Sequence, residues 1–356
     1  MRQSEFNSET LKLVRNYYGL SQSAFAKKLN MTQSKLSQLE NGEKEIDETL
    51  LSYMKEDFKE NFFLNQFIIP SQQLYYRKLA STSKGVVSKF EARLTIVSGV
   101  IKKLLDDIEI PQNNILSIDV EEFNFDFEYI AEQVRLKIGH LRGSINDIVK
   151  LLEKNGVIIH FFEYDFIQES SNKFDGVSTY VDGVPIIFIN NKIPNSRKVF
   201  TIAHELGHLV MHFDYIINPD RNIENEANKF ASAFLAPKNE VKSEFKGFKL
   251  EKLFQLKSEW KMSAAAILYR AKEIGNINED WYKKCMLWIS KYRKKEPYEF
   301  ELSSPILLKR MIEMSTNENN FSFLNNIGID ESVKEQLFGA IIEKKESKLK
   351  LVVNNL

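Results

Sequence analysis

The 356-residue chain has one cysteine, Cys285, eight prolines and no charge excess of either sign. A single cysteine cannot close an internal disulfide, which excludes a disulfide scaffold. Lys plus Arg and Asp plus Glu both number 49, which excludes a histone-like polyanion binder and an acidic tail protein. Any affinity for nucleic acid must therefore be local. The opening MRQSEFNSET lacks the apolar stretch of a secretory leader, and no window approaches the roughly eighteen apolar residues of a membrane span. The cytoplasm is the expected location. What the chain does have is length for two or three domains and the composition of an ordinary globular protein with buried cores.

Polar turns at GLSQ, LNMTQ and ENGEK divide the segment from Glu9 to about Glu60 into short helices. Beyond it, aromatic clusters (Phe62, Phe63, Tyr75, Tyr76), a helical period over Val87 to Leu105 and the extended-looking NNILSIDVEEFNF read as a connector. Ile145 to Lys154 has helical spacing and is broken by Asn155-Gly156; VIIHFFEY and GVPIIFIN read as strands. Helices are expected from about Ser196 to Phe213 and from about Ile223 to Leu235, with mainly helical text afterwards.

The segment SRKVFTIAHELGHLVMHF places Val199, Ile202, Ala203, Leu206, Leu209, Val210 and Phe213 on one helical stripe, with Ser196 as its N-cap. His204 and His208 lie off that stripe and one turn apart, so two imidazoles can reach one ion, with Glu205 about a hundred degrees around the helix. This is the HExxH device: two neutral histidines hold zinc, and the glutamate takes a proton from water whose pKa the ion lowers to about 7. A catalytic zinc needs a third protein ligand and an open position. RNIENEANKFASAFLAP supplies Glu224, Glu226 and Asn228 on a second helix, with Phe230, Phe234 and Leu235 buried. Glu224 and Asn228 share a face, so one can ligate while the other hydrogen-bonds a ligand imidazole; Glu226 then points elsewhere. His212 either shapes the site or closes a packed helix, the second reading being preferred, and His140 and His160 are read as structural. A purely structural zinc is disfavoured, because such sites are closed by four protein ligands, often cysteines.

Leu20, Phe25, Ala26, Leu29, Met31, Leu36 and Leu39 outline two short helices joined at Asn30-Met31, with Ser21 and Thr32 as N-caps. Such a pair can set its second helix in a DNA major groove, with Gln33, Ser34 and Gln38 at base edges and Gln22 and Lys35 at phosphates. Lys12, Arg15, Lys27, Lys28 and Lys35 face no acid between Thr10 and Leu39, yet residues 40–60 carry eight acids against three lysines. Phosphate contacts are accordingly expected to be modest and salt-sensitive.

On these residues the first 55 to 65 positions resemble a Cro/C1-type (XRE) helix-turn-helix domain, with TQSKLSQLENG close to phage-repressor recognition helices. Residues from about 130 to 275 resemble the ImmA/IrrE family of metallopeptidases through SINDIVKLLEKNGV, FDGVSTYVDGVPIIFIN, RKVFTIAHELGHLVMH, IENEANKFASAFLAP and EWKMSAAAILYRAKEIG. Together the two cover more than half the chain. The resemblance implies one catalytic zinc held by His204, His208 and Glu224, with Glu205 as general base, Asn228 behind a ligand and Glu226 as reserve ligand. It also implies a regulatory endopeptidase acting on a repressor-type protein, in a mobile-element, stress or toxin-antitoxin setting. Tyr180 and Tyr269 are the tyrosines considered for the oxyanion. The alternative is a non-proteolytic transcriptional regulator or antitoxin that uses the zinc domain as sensor or platform.

The expected fold class is multidomain and mainly α with a small α+β core. A helix-turn-helix domain spans 1–65, a mostly helical connector 66–129, and a gluzincin-like zinc-peptidase domain with helical extension 130–290, in which WKMSAAAILYRAKEI is a helical pair suited to substrate docking. A C-terminal helical region of open role spans 291–356. The expected partners are operator DNA, a protein substrate and, by analogy with other helix-turn-helix proteins, a second copy of the chain.

Overall fold

The computed structural model describes residues 6–46, 48–65, 67, 83–168, 174–246, 249–292, 296–315 and 322–339. Tyr75 and Tyr76 and the last part of the C-terminal region lie outside them.

Five short helices open the chain: α1 (Ser8–Tyr18), α2 (Gln22–Lys28), α3 (Gln33–Glu40), α4 (Glu48–Ser52) and α5 (Glu60–Phe63). The Asn7, Ser21 and Thr32 side chains accept from the backbone of Glu9, Ala24 and Lys35, satisfying amides that the first turns leave without partners. Leu11, Val14, Phe25, Leu29, Leu36 and Leu39 form the module's core. A long helix, α6 (Lys84–Leu105), follows. It is buried on more than one side, because one face packs on α1 and another on the sheet below. The expected connector is therefore a shared core element.

The extended-looking NNILSIDVEEFNF forms no strand. Ile118 N–H donates to the Val210 carbonyl at 2.8 Å, Asn114 pairs with Asn155, and the segment closes in turns with Asn124 and Phe125 at positive φ. Next come α7 (Phe127–Lys137), α8 (Ile148–Lys154), β1 (Ile158–Phe162), α9 (Asp165–Gln168), β2 (Gly176–Val181) and β3 (Val184–Asn190). Asp182 and Gly183, both at positive φ, make the two-residue turn between β2 and β3. The sheet order is β1-β3-β2, with β1 parallel and β2 antiparallel to β3.

Alternation along the strands divides two cores. Ile158, Phe162, Ile186 and Phe188 face the core shared with α6 and the N-terminal helices; Ile159, Phe161, Ile187 and Ile189 face the helices that carry the metal motif. On this second side stand α10 (Asn195–Met211), α11 (Ile223–Leu235), α12 (Lys238–Val241), α13 (Leu250–Trp260), α14 (Ala264–Glu273) and α15 (Glu279–Ile289). The mainly helical fold with a small sheet is as the sequence implies.

The C-terminal region, for which sequence offered no role, ties the two halves together. It comprises a non-helical strap and α16 (Leu307–Met314), α17 (Ser322–Asn326) and α18 (Glu331–Phe338). Glu299 of the strap accepts from the Ser196 backbone at 2.7 Å and pairs with buried Lys257. This corrects the expected N-cap: α10 begins at Asn195, after Pro194, and Ser196 is a donor to a distant carboxylate. Further on, Lys59 N–H donates to the Gly328 carbonyl, Asp330 N–H to Asp57, and Tyr17 and Arg93 both donate to Gln336. Gly328 has φ +83, and a Cβ there would lie 2.3 Å from the Phe62 backbone nitrogen, so only glycine lets the chain pass so close.

His160 on β1 is fully buried between Phe188 and Phe338, and burial pushes its imidazole down to about 4. The unfolded chain, with an ordinary histidine near 6.5, then binds more protons than the folded one between those values. This group's contribution is present above about pH 6.5 and is lost as pH falls towards 4, by up to about 3 kcal/mol. His160→Leu is expected to flatten the acid side of the stability profile, measured as the denaturant midpoint between pH 7 and 4.5; equal slopes for variant and parent would refute this.

Candidate metal centre

Helices α10 and α11 build the site. Gly207 stands between the two motif histidines, and a Cβ there would fall 2.9 Å from Phe230 Cδ1 and 3.3 Å from Ala227 Cα. The missing side chain thus lets α11 lie close enough for its first turn to reach the imidazoles. Gly207→Ala would gain up to about 1 kcal/mol of helix propensity, but overpacking against a fully buried ring costs about 1–3 kcal/mol. A net loss of about 1 kcal/mol, read as a lower thermal midpoint, is expected; an unchanged or higher midpoint would show that the helices can spread freely.

His204 and His208 are buried and turn their Nε2 atoms toward each other at 3.1 Å. Glu224 completes the group, its carboxylate oxygens 3.5 Å from His204 Nε2 and 3.4 Å from His208 Nε2. The three donor atoms lie within 4.8 Å of one another. Two imidazole nitrogens and one carboxylate oxygen are the donor set of a three-ligand zinc site, so these residues fit that ion. Burial favours the neutral form of His208, the form that can donate a lone pair.

Behind this group the far ring nitrogens are also held. His204 Nδ1 lies 2.9 Å from Asn228 Oδ1, and His208 Nδ1 lies 2.9 Å from His212 Nδ1. Glu226 turns away from the three, its carboxylate 3.1 Å from His212 Nε2 and bound by Arg221 at 2.7 Å and 3.1 Å. Burial raises the Glu226 carboxyl, and the hydrogen bonds and charges of His212 and Arg221 outweigh that and bring it to about 2. The sequence leaves His212 between closing a packed helix and shaping the site, and the structure gives it both parts. It terminates α10, and its ring meets a motif histidine, a contact that helical spacing allowed and that Glu226 makes specific.

Glu205 is buried beside the group, and its Oε2 accepts from the Ser178 hydroxyl at 2.9 Å. Ser178 was missed in the sequence. Its signal is the alternation of β2, in which Val177 faces the N-terminal core and Ser178 the opposite side. Neither tyrosine considered for the oxyanion has a contact that places it there. The Tyr180 hydroxyl donates to the Leu209 carbonyl at 3.2 Å and so braces α10, while Tyr269 stands exposed on α14 with Lys272 over its ring. His140 lies beside Arg135, and burial lowers its imidazole.

In the N-terminal module Ser34 and Lys35 are exposed on α3, and Gln38 is half-buried on the same helix. Gln33 donates to Gln22 at 3.3 Å, and Gln22 donates to Glu40 at 3.0 Å. Glu40 also takes Arg15 in a two-point ion pair with a shortest contact of 2.6 Å. Arg15 therefore drops out of the basic patch, because its counter-charge lies one residue beyond the stretch that appeared free of acids. Gln22 spends part of its amide inside the protein.

Fold and site together define a class, a helix-turn-helix regulator joined to a metallopeptidase-like domain. Residues 157–272 match the family model of the IrrE N-terminal-like domain, and residues 11–52 match a helix-turn-helix model of the XRE type. The chain thus pairs an ImmA/IrrE-type domain with an N-terminal XRE helix-turn-helix. No curated protein matches the chain. Among the described residues no helix is long and apolar enough to cross a membrane.

Proposed function

We propose that the protein is a DNA-binding regulatory zinc endopeptidase that cleaves and thereby inactivates a repressor-type protein, working in the cytoplasm at the promoters its first domain recognises. The single observation that carries this reading is the convergence of His204 Nε2, His208 Nε2 and the Glu224 carboxylate beside a separate buried carboxylate, Glu205. Four protein ligands would close a structural site; three ligands and an adjacent base suit hydrolysis.

A zinc ion bound there would supply Lewis acidity, polarising a peptide carbonyl and acidifying water to a pKa of about 7. His204, His208 and Glu224 would hold it. Ser178 fixes one oxygen of Glu205, so the carboxylate keeps one orientation and its other oxygen is the one to receive the proton of the attacking water. Glu205 then returns that proton to the leaving amine nitrogen as the C–N bond breaks, giving a carboxylic acid and an amine. Asn228 keeps the proton of His204 on Nδ1, so that its Nε2 lone pair points into the His208 and Glu224 group.

The helix-turn-helix supplies address. Ser34, Lys35, Gln33 and Gln38 present α3 to the major groove, with Gln22 at its edge, and two copies on adjacent half-sites are the arrangement such modules use. Lys35→Ala is expected to weaken binding to the chain's own promoter fragment uniformly and to reduce the slope of log affinity against log salt by about one. A slope unchanged within error would remove Lys35 from the interface.

The proposal is tested in cells by Glu205→Gln, which spares the metal ligands and α3. Accumulation of the repressor, with altered promoter output, is the expected result. Unchanged repressor level and output would favour the alternative, a regulator or antitoxin whose metal domain only senses or docks.

A further inference from the structure

The contacts behind His208 form a chain with a direction. Arg221 grips both oxygens of Glu226 with two guanidinium N–H groups, the two-point geometry of an ionised carboxylate acceptor. A carboxylate only accepts, so His212 Nε2, 3.1 Å away, carries a hydrogen. Arg221 already meets the Glu226 charge, so His212 stays a neutral imidazole with one N–H, and its Nδ1 carries no hydrogen. Only one hydrogen can lie between His212 Nδ1 and His208 Nδ1, 2.9 Å apart, and it must belong to His208. His208 Nε2 is then left with its lone pair, directed to where His204 Nε2 and Glu224 converge.

We infer that Arg221, Glu226 and His212 form a relay that fixes the tautomer and ring orientation of His208, and so act as positioning residues for the metal. The inference rests on the zinc reading above and deepens it. The two histidines are served differently. His204 leans on a neutral, half-buried amide, whereas His208 is held by a buried ion pair acting through a second imidazole. A buried ion pair is a weak stabiliser, since desolvation of both charges offsets their attraction. Its position behind His212 is explained if it sets which nitrogen of His208 carries the hydrogen. Glu226 sits in the first turn of α11, where the helix dipole also favours its negative charge. Arg221 reaches on to Glu121 at 3.4 Å, linking the relay to the turn that precedes α7.

The full chain, its Glu226→Gln and His212→Phe variants are compared by two readouts, neither of which needs activity. The first is zinc affinity by competition with a chelator of known strength; the second is the tautomer of each imidazole in metal-free, histidine-labelled protein by long-range proton–nitrogen NMR. The parent is expected to bind zinc and to show His208 with its hydrogen on Nδ1 and His212 with its hydrogen on Nε2. Both variants are expected to lose about 10–100-fold in zinc affinity, with the His208 hydrogen no longer confined to Nδ1. If His212→Phe does not fold, Glu226→Gln carries the test. A parent that binds zinc while folded variants match its affinity and tautomers would overturn the relay and leave the zinc site standing. A parent that binds no zinc would overturn both.

Discussion

Glu205→Gln is expected to slow hydrolysis of the repressor substrate by the zinc-loaded protein by about 10²–10⁴-fold, while zinc affinity stays within a few-fold of the parent. The substitution keeps shape and the Ser178 hydrogen bond, because an amide oxygen accepts as a carboxylate oxygen does. What it removes is the capacity to take a proton at the attacking water and return it to the amine. Both steps need the same group, so the loss falls on turnover and not on substrate binding. The check is a single-turnover rate with purified components and fragment masses. A variant that cleaves at the parental rate would show that the base lies elsewhere.

The second large effect belongs to Glu224. It is the one member of the metal group outside α10, and its side chain is partly exposed where the imidazoles are buried. Structural zinc sites bind with about 10–16 kcal/mol over four ligands, so removing one ligand costs about 3 kcal/mol, or a factor of about 10² or more in affinity. Glu224→Ala is therefore expected to lower zinc affinity by at least that factor, and to abolish the rise in thermal midpoint that added zinc gives the parent. The same substitution at Glu226 is expected to act more weakly, through His212. A larger loss at Glu226 than at Glu224 would reverse the assignment of ligand and support.

Much of the site was legible because helical geometry is local. The four-residue spacing of His204 and His208, and of Glu224 and Asn228, fixes which side chains stand over one another whatever the rest of the fold does. The caps Ser21 and Thr32 were legible for the same reason. What escaped was set by contacts distant in sequence. Ser178 reaches Glu205 only because β2 lies over α10, and Glu299 caps α10 from over a hundred residues away. His212 shares helical spacing with His208, but its partner Glu226 arrives on another helix, so the sequence left its role divided. Arg15 looked free because its partner Glu40 fell just outside the acid-free stretch. The C-terminal helices carry no motif; Gly328 and Gln336 acquire meaning only against Phe62, Tyr17 and Arg93.

The most direct test of the whole account is anomalous diffraction at the zinc edge from crystals of the zinc-loaded protein. The account predicts one strong peak about 2.0–2.2 Å from His204 Nε2, His208 Nε2 and a Glu224 carboxylate oxygen, with Glu205 and Glu226 outside that distance. A peak bound by Glu226 in place of Glu224, or none at this site, would contradict it.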